Sequence, residues 1–375
     1  MDQETSRAVA SDSLNCTNCG ALLHFVPGTH SLKCDYCGVA NNIRAEKTVI
    51  EAVDYDTFIR QEKVTGKMPG LQSLSCKGCG SQTVFKENII ADKCPFCASP
   101  LVLGLDDRQQ VLRPHYVLPF AVDRNAAARY FQQWLKGLWF APGDLLKKVN
   151  GASSSPLQGV YMPYFAYNTD TVTDYTGQRG EYYYTTEPYT VTVNGKTETR
   201  TRQVRHTRWH YTSGTVRRSF KDVTVPSSRS LPQKTMLTLG PWDFGQLETF
   251  DERYLSGFRS ETFQAGPEET LETAKQLIAP DIEAAIIDDI GGDEQRIDEQ
   301  STMYNNLGIK YIMLPVWVSS YNYNKKPYQF TINACTGEVI GQRPLSWIKI
   351  TLTVLAGLIL VAVIWLLVSR QQGNG

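Results

Sequence analysis

The stretches LNCTNCG (residues 14–20) and LKCDYCG (32–38), followed by LSCKGCG (74–80) and DKCPFCA (92–98), decide how the front of this chain is read. Each pair gives Cys-x2-Cys-x14-Cys-x2-Cys, and the second copy stands 60 residues after the first. Zinc in a structural site takes four thiolate or imidazole ligands in a tetrahedron. A CxxC turn supplies two sulfurs from one knuckle, and the 14-residue loop is long enough for a hairpin that brings the second knuckle back. Small residues follow the knuckles (Gly20, Gly38, Gly80 and Ala98), and glycine there lets the chain turn sharply. A unit of about 25 residues buries too little apolar surface to fold alone, so metal binding and folding become one event. Two Zn2+ ions are expected: one on Cys16, Cys19, Cys34 and Cys37, the other on Cys76, Cys79, Cys94 and Cys97. Disulfides or redox CxxC sites are the alternative, disfavoured by two matched quartets in a cytosolic region. His24 and His30 lie inside the first loop and read as loop or hairpin residues, because four cysteines already fill the tetrahedron. Such a site has no open coordination position, so the ribbons present a rigid surface rather than a catalyst.

The rest of the chain reads as an α+β protein. Its 375 residues are 42% hydrophobic and 11% aromatic, which suits a strand-rich core. Lysine plus arginine balances aspartate plus glutamate at 38 each, so no whole-chain charge points to nucleic acid. The expected organisation is a disordered N-terminus over 1–13, zinc ribbon 1 over 14–40, a linker over 41–73 and zinc ribbon 2 over 74–103. A β-rich α+β domain follows over 111–343, then a transmembrane helix over 347–369. The linker holds a short strand or helix in TVIEAVDYDTFIRQEK and a turn-rich TGKMPG. Asp123 is placed to cap a helix whose apolar face is Ala127, Tyr130, Phe131, Trp134, Leu135 and Leu138. Residues 157–225 predict several strands, with Asn194-Gly195 as a hairpin turn. PEETLETAKQLIAPDIEAAIIDDI predicts a helix broken or kinked at Pro280. A last hairpin pairs IKYIMLPVWVSSYNY with YQFTINACTGEVIG, where Cys335 is a small turn or core residue. YMPYFAY (161–167) and MLPVWVS (313–319) form a weak repeat. Their prolines favour an edge or a bulge, and the two strands are expected in related places.

At the C-terminus, residues 350–368 carry no charge over 19 positions, about 28 Å of helix against a hydrocarbon core of about 30 Å. Arg343 and Lys349 precede this span and Arg370 alone follows, which places the N-terminal bulk in the cytoplasm. The N-terminus lacks the apolar segment of a signal peptide.

Catalytic motifs are missing. NGKT (194–197) imitates the end of a P-loop, but Thr190 stands where a glycine is needed. HExxH and GxSxG do not occur, and the chain is not expected to be an enzyme. One charge feature stands out. Lys196 to Lys221 holds eight Lys/Arg and one acid, Glu198. On a strand, Arg200, Arg202, His206, Arg208 and His210 share a side. With Arg205, Arg217 and Arg218 they form a candidate ridge for phosphates of nucleic acid or anionic lipid. The plain alternative is a solvated sheet face, and eight acids in 281–299 offer internal neutralisation.

Taken together, the two quartets, LPFAVDRNAAARYFQQWLKGLWFAP, LQGVYMPYFAYN, LPVWVSSYNYNKKPYQFTINACTGEVIGQRP and the C-terminal span resemble a bacterial family of membrane-anchored double-zinc-ribbon proteins. Its members are often labelled TFIIB-type zinc-ribbon or primosomal-helicase-like proteins. Cys335 stands where that family usually has glycine. The helicase label does not fit a chain without a P-loop. The resemblance implies a single-pass protein of the plasma (inner) membrane that recruits protein partners, including envelope-stress proteins of the phage-shock type. Two functions are therefore expected in order. The first is a non-enzymatic, zinc-binding scaffold or adaptor. The second is a membrane-tethered nucleic-acid binder using the ribbons and the basic strand.

Overall fold

The computed structural model describes residues 16–21, 23–43, 49–65, 71–75, 80–86, 91–93, 96, 100–102, 113–151, 156–193, 196–261 and 263–373. The second quartet (Cys76, Cys79, Cys94, Cys97), the N-terminal 1–13 segment, residues 66–70 of TGKMPG and the Asn194-Gly195 turn lie outside them. Three short strands open the chain: β1 (Leu23–Phe25), β2 (Ser31–Cys34) and β3 (Ala40–Asn42), which form one antiparallel sheet. Strand β4 (Val53–Asp54) and helix α1 (Tyr55–Thr65) follow, in what the sequence suggested was a linker. The short strand and helix expected in that segment are packed: β4 pairs with Gly308–Ile309, and Phe58 of α1 is buried against Phe165 and His115. Next come β5 (Leu71–Ser75), β6 (Gln82–Lys86), β7 (Ala91–Lys93), β8 (Pro100–Val102) and β9 (Tyr116–Val117).

Helix α2 (Arg124–Gly137) starts as read: the Asp123 carboxylate accepts from the Ala126 N–H at 2.7 Å. Ala127, Phe131, Leu135 and Leu138 are buried, while Tyr130 keeps 38% of its surface exposed. After α3 (Leu145–Gly151), the expected series of strands proves to be two. β10 (Gln158–Val193) and β11 (Lys196–Pro226) pair antiparallel from Tyr164↔Pro226 to Val193↔Lys196. Both strands are rich in threonine and tyrosine, which suit an extended backbone. Then come α4 (Gln233–Thr238), β12 (Glu248–Thr249) and β13 (Arg259–Glu261).

Helix α5 (Pro267–Ile290) runs unbroken through Pro280, so the break, one of the two outcomes expected there, does not occur. Loss of one N–H is offset by burial of Ala274, Ile278, Ile282, Ile286 and Ile290 along one side. The chain closes with β14 (Glu294–Tyr323), β15 (Lys326–Asn333), β16 (Val339–Gly341) and α6 (Trp347–Gly373). Asn324 and Lys325 both have positive φ, so β14 and β15 are joined by a two-residue primed turn.

β10 and β14 are the central pair, in register from Gln158↔Val318 to Gly180↔Glu294. Their prolines are therefore not at an edge. Each sits where a flanking strand leaves the ladder. β11 begins its pairing one residue past Pro163, and β15 one residue past Pro315. The Pro163 carbonyl accepts from Ser227 N–H and the Pro315 carbonyl from Ala334 N–H, both at 3.1 Å. β13 pairs parallel with Val160–Tyr161 and β9 with Ile312–Met313, at the same offset before each proline. The weak sequence repeat is thus an internal two-fold of the sheet.

Bulges at one level divide this sheet. Lys221–Asp222 oppose Asn168, and Asn306–Leu307 oppose Thr169. Asp222 and Asn306 take φ of 56° and 51°. Below the bulges both faces are covered: Val160, Met162, Tyr164 and Ala166 pack on one side, Tyr161, Phe165 and Tyr167 on the other. Above them only α5 covers one face, joining Tyr175 to Ile278, Ile282, Ile286 and Ile290. Gly214 permits that contact, since a Cβ there would lie 2.7 Å from both the Tyr175 hydroxyl and Asp289 Oδ2. Past Gly180, β14 has ended and β10 and β11 continue alone for 13 residues each, about 43 Å at ~3.3 Å per residue.

Candidate metal centre and the basic ribbon

The first quartet is assembled by two like-built knuckles. Gly20 N–H donates to the Cys16 carbonyl and Gly38 N–H to the Cys34 carbonyl, each at 2.9 Å. Cys16 and Cys34 N–H donate onward to the Ala21 and Val39 carbonyls at 2.7 and 3.0 Å. Gly20 and Gly38 take φ of 73° and 76°, which L side chains rarely adopt. The β1–β2 hairpin then sets the knuckles face to face. All four sulfurs lie within 4.8 Å of one another, with Cys16–Cys37 and Cys19–Cys34 at 3.5 Å. Zinc–thiolate bonds of about 2.3 Å in a tetrahedron require sulfur–sulfur edges of about 3.8 Å. The quartet fits one such ion, and all four cysteines are free thiols.

The electrostatics point the same way. The Val39 backbone N–H, then the Asn18 side chain, pull the Cys37 thiol down to about 6. At Cys19 the Ala21 backbone N–H also favours the thiolate, but the neighbouring sulfurs of Cys34, Cys37 and Cys16 outweigh it and push the thiol up to about 12. Clustered sulfurs oppose shared ionisation unless a cation sits among them. His24 and His30 stand apart from the quartet: His24 Nε2 is 3.5 Å from Asp35, and His30 Nδ1 is 3.8 Å from Glu248.

This ribbon is part of the main core. Cys16, Leu23, Phe25, Leu32 and Cys34 belong to the cluster built around Phe165 and Tyr311. Phe25 N–H donates to the Ser256 carbonyl at 3.0 Å and Gly28 N–H to the Phe120 carbonyl at 2.8 Å, while the Ser256 hydroxyl donates to the Leu23 carbonyl. Phe25 meets Tyr254 edge-on at 5.3 Å.

Next to the second quartet, Gly80, which follows Cys79, has φ 74°, close to the values at Gly20 and Gly38. The Gln264 side chain donates to the Gly80 carbonyl at 2.5 Å. β6 pairs with β13, setting Thr83 opposite Glu261. Glu261 was not singled out in the sequence. Its carboxyl is buried, accepts from the Ser230 hydroxyl, and is raised by burial to about 8. A lone glutamate in RSETF carries no signal of that burial, which comes from the sheet partner. Cys335 sits in the turn after β15, its N–H bonded to Asn333 Oδ1 at 2.8 Å, and burial raises its thiol to about 12.

The basic ridge lies along β11. Register puts Arg200, Arg202, His206, Arg208, His210 and Arg218 on the α5 side of the ribbon, and Arg205 and Arg217 on the other. Among the described residues, the arginine ion pairs of the ridge are made within the ribbon: Arg200–Glu198 is 3.3 Å and Arg202–Glu187 is 3.7 Å. Arg205 and Arg208 lie over the Tyr182 and Tyr183 rings at 4.2 and 5.1 Å. The 281–299 segment stays near the base, where Arg296 covers the Trp209 ring at 3.9 Å.

At the other end, α6 is long and apolar enough to cross a membrane from Trp347 to Trp365, and none of that stretch is buried. Ser346 N–H donates to the Phe140 carbonyl at 2.8 Å and Lys349 Nζ to the Trp139 carbonyl at 3.1 Å. Nearby, the Tyr323 hydroxyl at the end of β14 donates to Asp144. Helix α6 thus leaves from the end of β14 opposite the projecting ribbon.

No family model matches the chain, and no solved structure matches it. The chain is similar to the Bacillus subtilis (strain 168) protein described as "Uncharacterized protein YdjG", at 25% identity over 348 residues, covering 89% of this chain and 90% of that protein.

Proposed function

We propose that this chain is a non-enzymatic, zinc-binding scaffold held at a membrane by α6, with its strand-rich body facing the cytoplasm. The observation that carries the reading is the placement of an apolar helix with no buried residue from Trp347 to Trp365 at one end of the central strands and a two-stranded ribbon at the other. A helix that is apolar all round and uncovered by protein needs lipid around it. The proposed zinc ions are structural. Four thiolates close the first site, and Cys76, Cys79, Cys94 and Cys97 hold the second ion in the same way, a reading supported by the shared φ of Gly80. The reducing cytoplasm keeps such thiolates available, and Arg343 and Lys349 before the span agree with that side. Zinc fixes the body and α6 fixes its place, which leaves the projecting surface to recruit partners. The test is affinity capture of the intact protein from detergent, with Cys76→Ser/Cys79→Ser as control. Reproducible partners that the variant loses support a scaffold; recovery of none opposes it.

A further inference from the structure

The long outer edge of β11 has no partner strand among the described residues: it pairs with β10 alone. Beyond Gly180 no third strand among the described residues joins the ribbon. An open edge presents unpaired N–H and C=O groups at alternate residues and is a template for another strand. This edge is guarded. Two copies of β11 pairing edge to edge would bring a strand with eight basic residues and one acid against itself, and like charges placed opposite are unfavourable. The same charge admits a complementary strand. Arg200, Arg202 and Arg208 share one side of the ribbon, whereas the opposite side of β11 offers Thr197, Thr199, Thr201 and Thr207, with Arg205. A strand alternating acidic and β-branched residues would match both sides.

Two other ligands fit less well. A phosphate backbone would use only the basic side of the ribbon, leaving the open main-chain edge and the threonine side of β11 without a role. Lipid of the membrane that holds α6 lies at the opposite end of the central strands.

Resting on the scaffold reading above, we propose that the edge of β11 from Thr197 to Trp209 takes up an extended acidic segment of a partner protein as an added strand. Main-chain hydrogen bonds supply the affinity, and the arginines select the sequence.

The test uses the full chain in lipid nanodiscs. The probe is a capped peptide of about twelve residues alternating glutamate and valine, a length matched to the free edge at ~3.3 Å per residue. Glutamate–proline and lysine–valine peptides of equal length are controls, with a duplex oligonucleotide as competitor. Proline keeps the charge spacing but removes backbone donors. Expected are binding of the glutamate–valine peptide alone and slowed amide hydrogen exchange at alternate residues of 197–209. Arg200→Glu/Arg202→Glu/Arg208→Glu should weaken that peptide about tenfold or more and admit the lysine–valine peptide instead. Exchange along β10 checks that the variant ribbon still forms. Absence of binding, equal binding of the glutamate–proline peptide, or displacement by oligonucleotide at equal concentration would overturn the proposal. Affinity capture that still recovers partners in any of those cases would leave the scaffold reading standing while the edge assignment falls.

Discussion

The lower and upper parts of the β10–β14 sheet use the same strands under different burial. Below the bulges, every residue from Tyr161 to Tyr167 is buried, so the run has no period of two. Above them, Thr171, Thr173, Tyr175 and Gly177 are buried while Asp174 and Thr176 are exposed, because α5 covers a single face. Past Gly180, most described residues of both ribbon strands are exposed, and cross-strand pairs such as Tyr183–His206 hold them together. The difference teaches that burial writes the alternation in a strand, and that a strand can continue where the alternation stops.

Removing metal should have the largest effect, because ribbon 1 shares the lower core. Chelation, or Cys34→Ser, is expected to lower the melting temperature sharply, since a structural zinc contributes on the order of 10 kcal/mol. An unchanged melting curve would separate ribbon 1 from the core. Phe165→Ala, buried on the doubly covered part, should cost about 3–5 kcal/mol in denaturant unfolding. Ile286→Ala, under the singly covered part, should fall toward the lower part of about 2–5 kcal/mol. A larger loss at Ile286 would erase the distinction between the two parts.

Glu261 sharpens the comparison through pH. Its folded pKa is raised from the usual 4.5 to about 8, so the folded state binds the extra proton. Stability is fully present below about 4.5 and falls as pH rises to about 8. Glu261→Gln should flatten that fall in melting curves taken across this range; a parallel fall in the variant would assign it elsewhere. The smallest effect is expected on the ribbon. Deleting 184–205 and joining Tyr183 to His206 through Asn-Gly should change stability by about 0.5 kcal/mol or less, while abolishing binding at the β11 edge.

The cysteine quartet was legible because metal geometry fixes both residue type and spacing, and Asp123 because a cap is a local contact. The Pro163/Pro315 repeat was visible as a pattern, but its place at the sheet centre was not. That placement depends on where β11 and β15 leave the ladder, a long-range fact. The break that Pro280 suggested is absent for the same reason: buried isoleucines on both sides outweigh one lost hydrogen bond. The acids of 281–299 stood out by their number, whereas the ridge finds its described ion pairs within the ribbon, where register brings Glu187 to Arg202. Glu261 gave no sign at all, because its burial is created by β6 and the serines at 228 and 230.

The central claim is that thiolate-held zinc braces a membrane-held body. Its most direct test is metal content of the purified full-length protein, with thiol titration in parallel. The account predicts two equivalents of zinc, one lost in Cys16→Ser/Cys19→Ser and one in Cys76→Ser/Cys79→Ser. Far less than two equivalents in the parent protein, with its cysteines oxidised to one another, would contradict it.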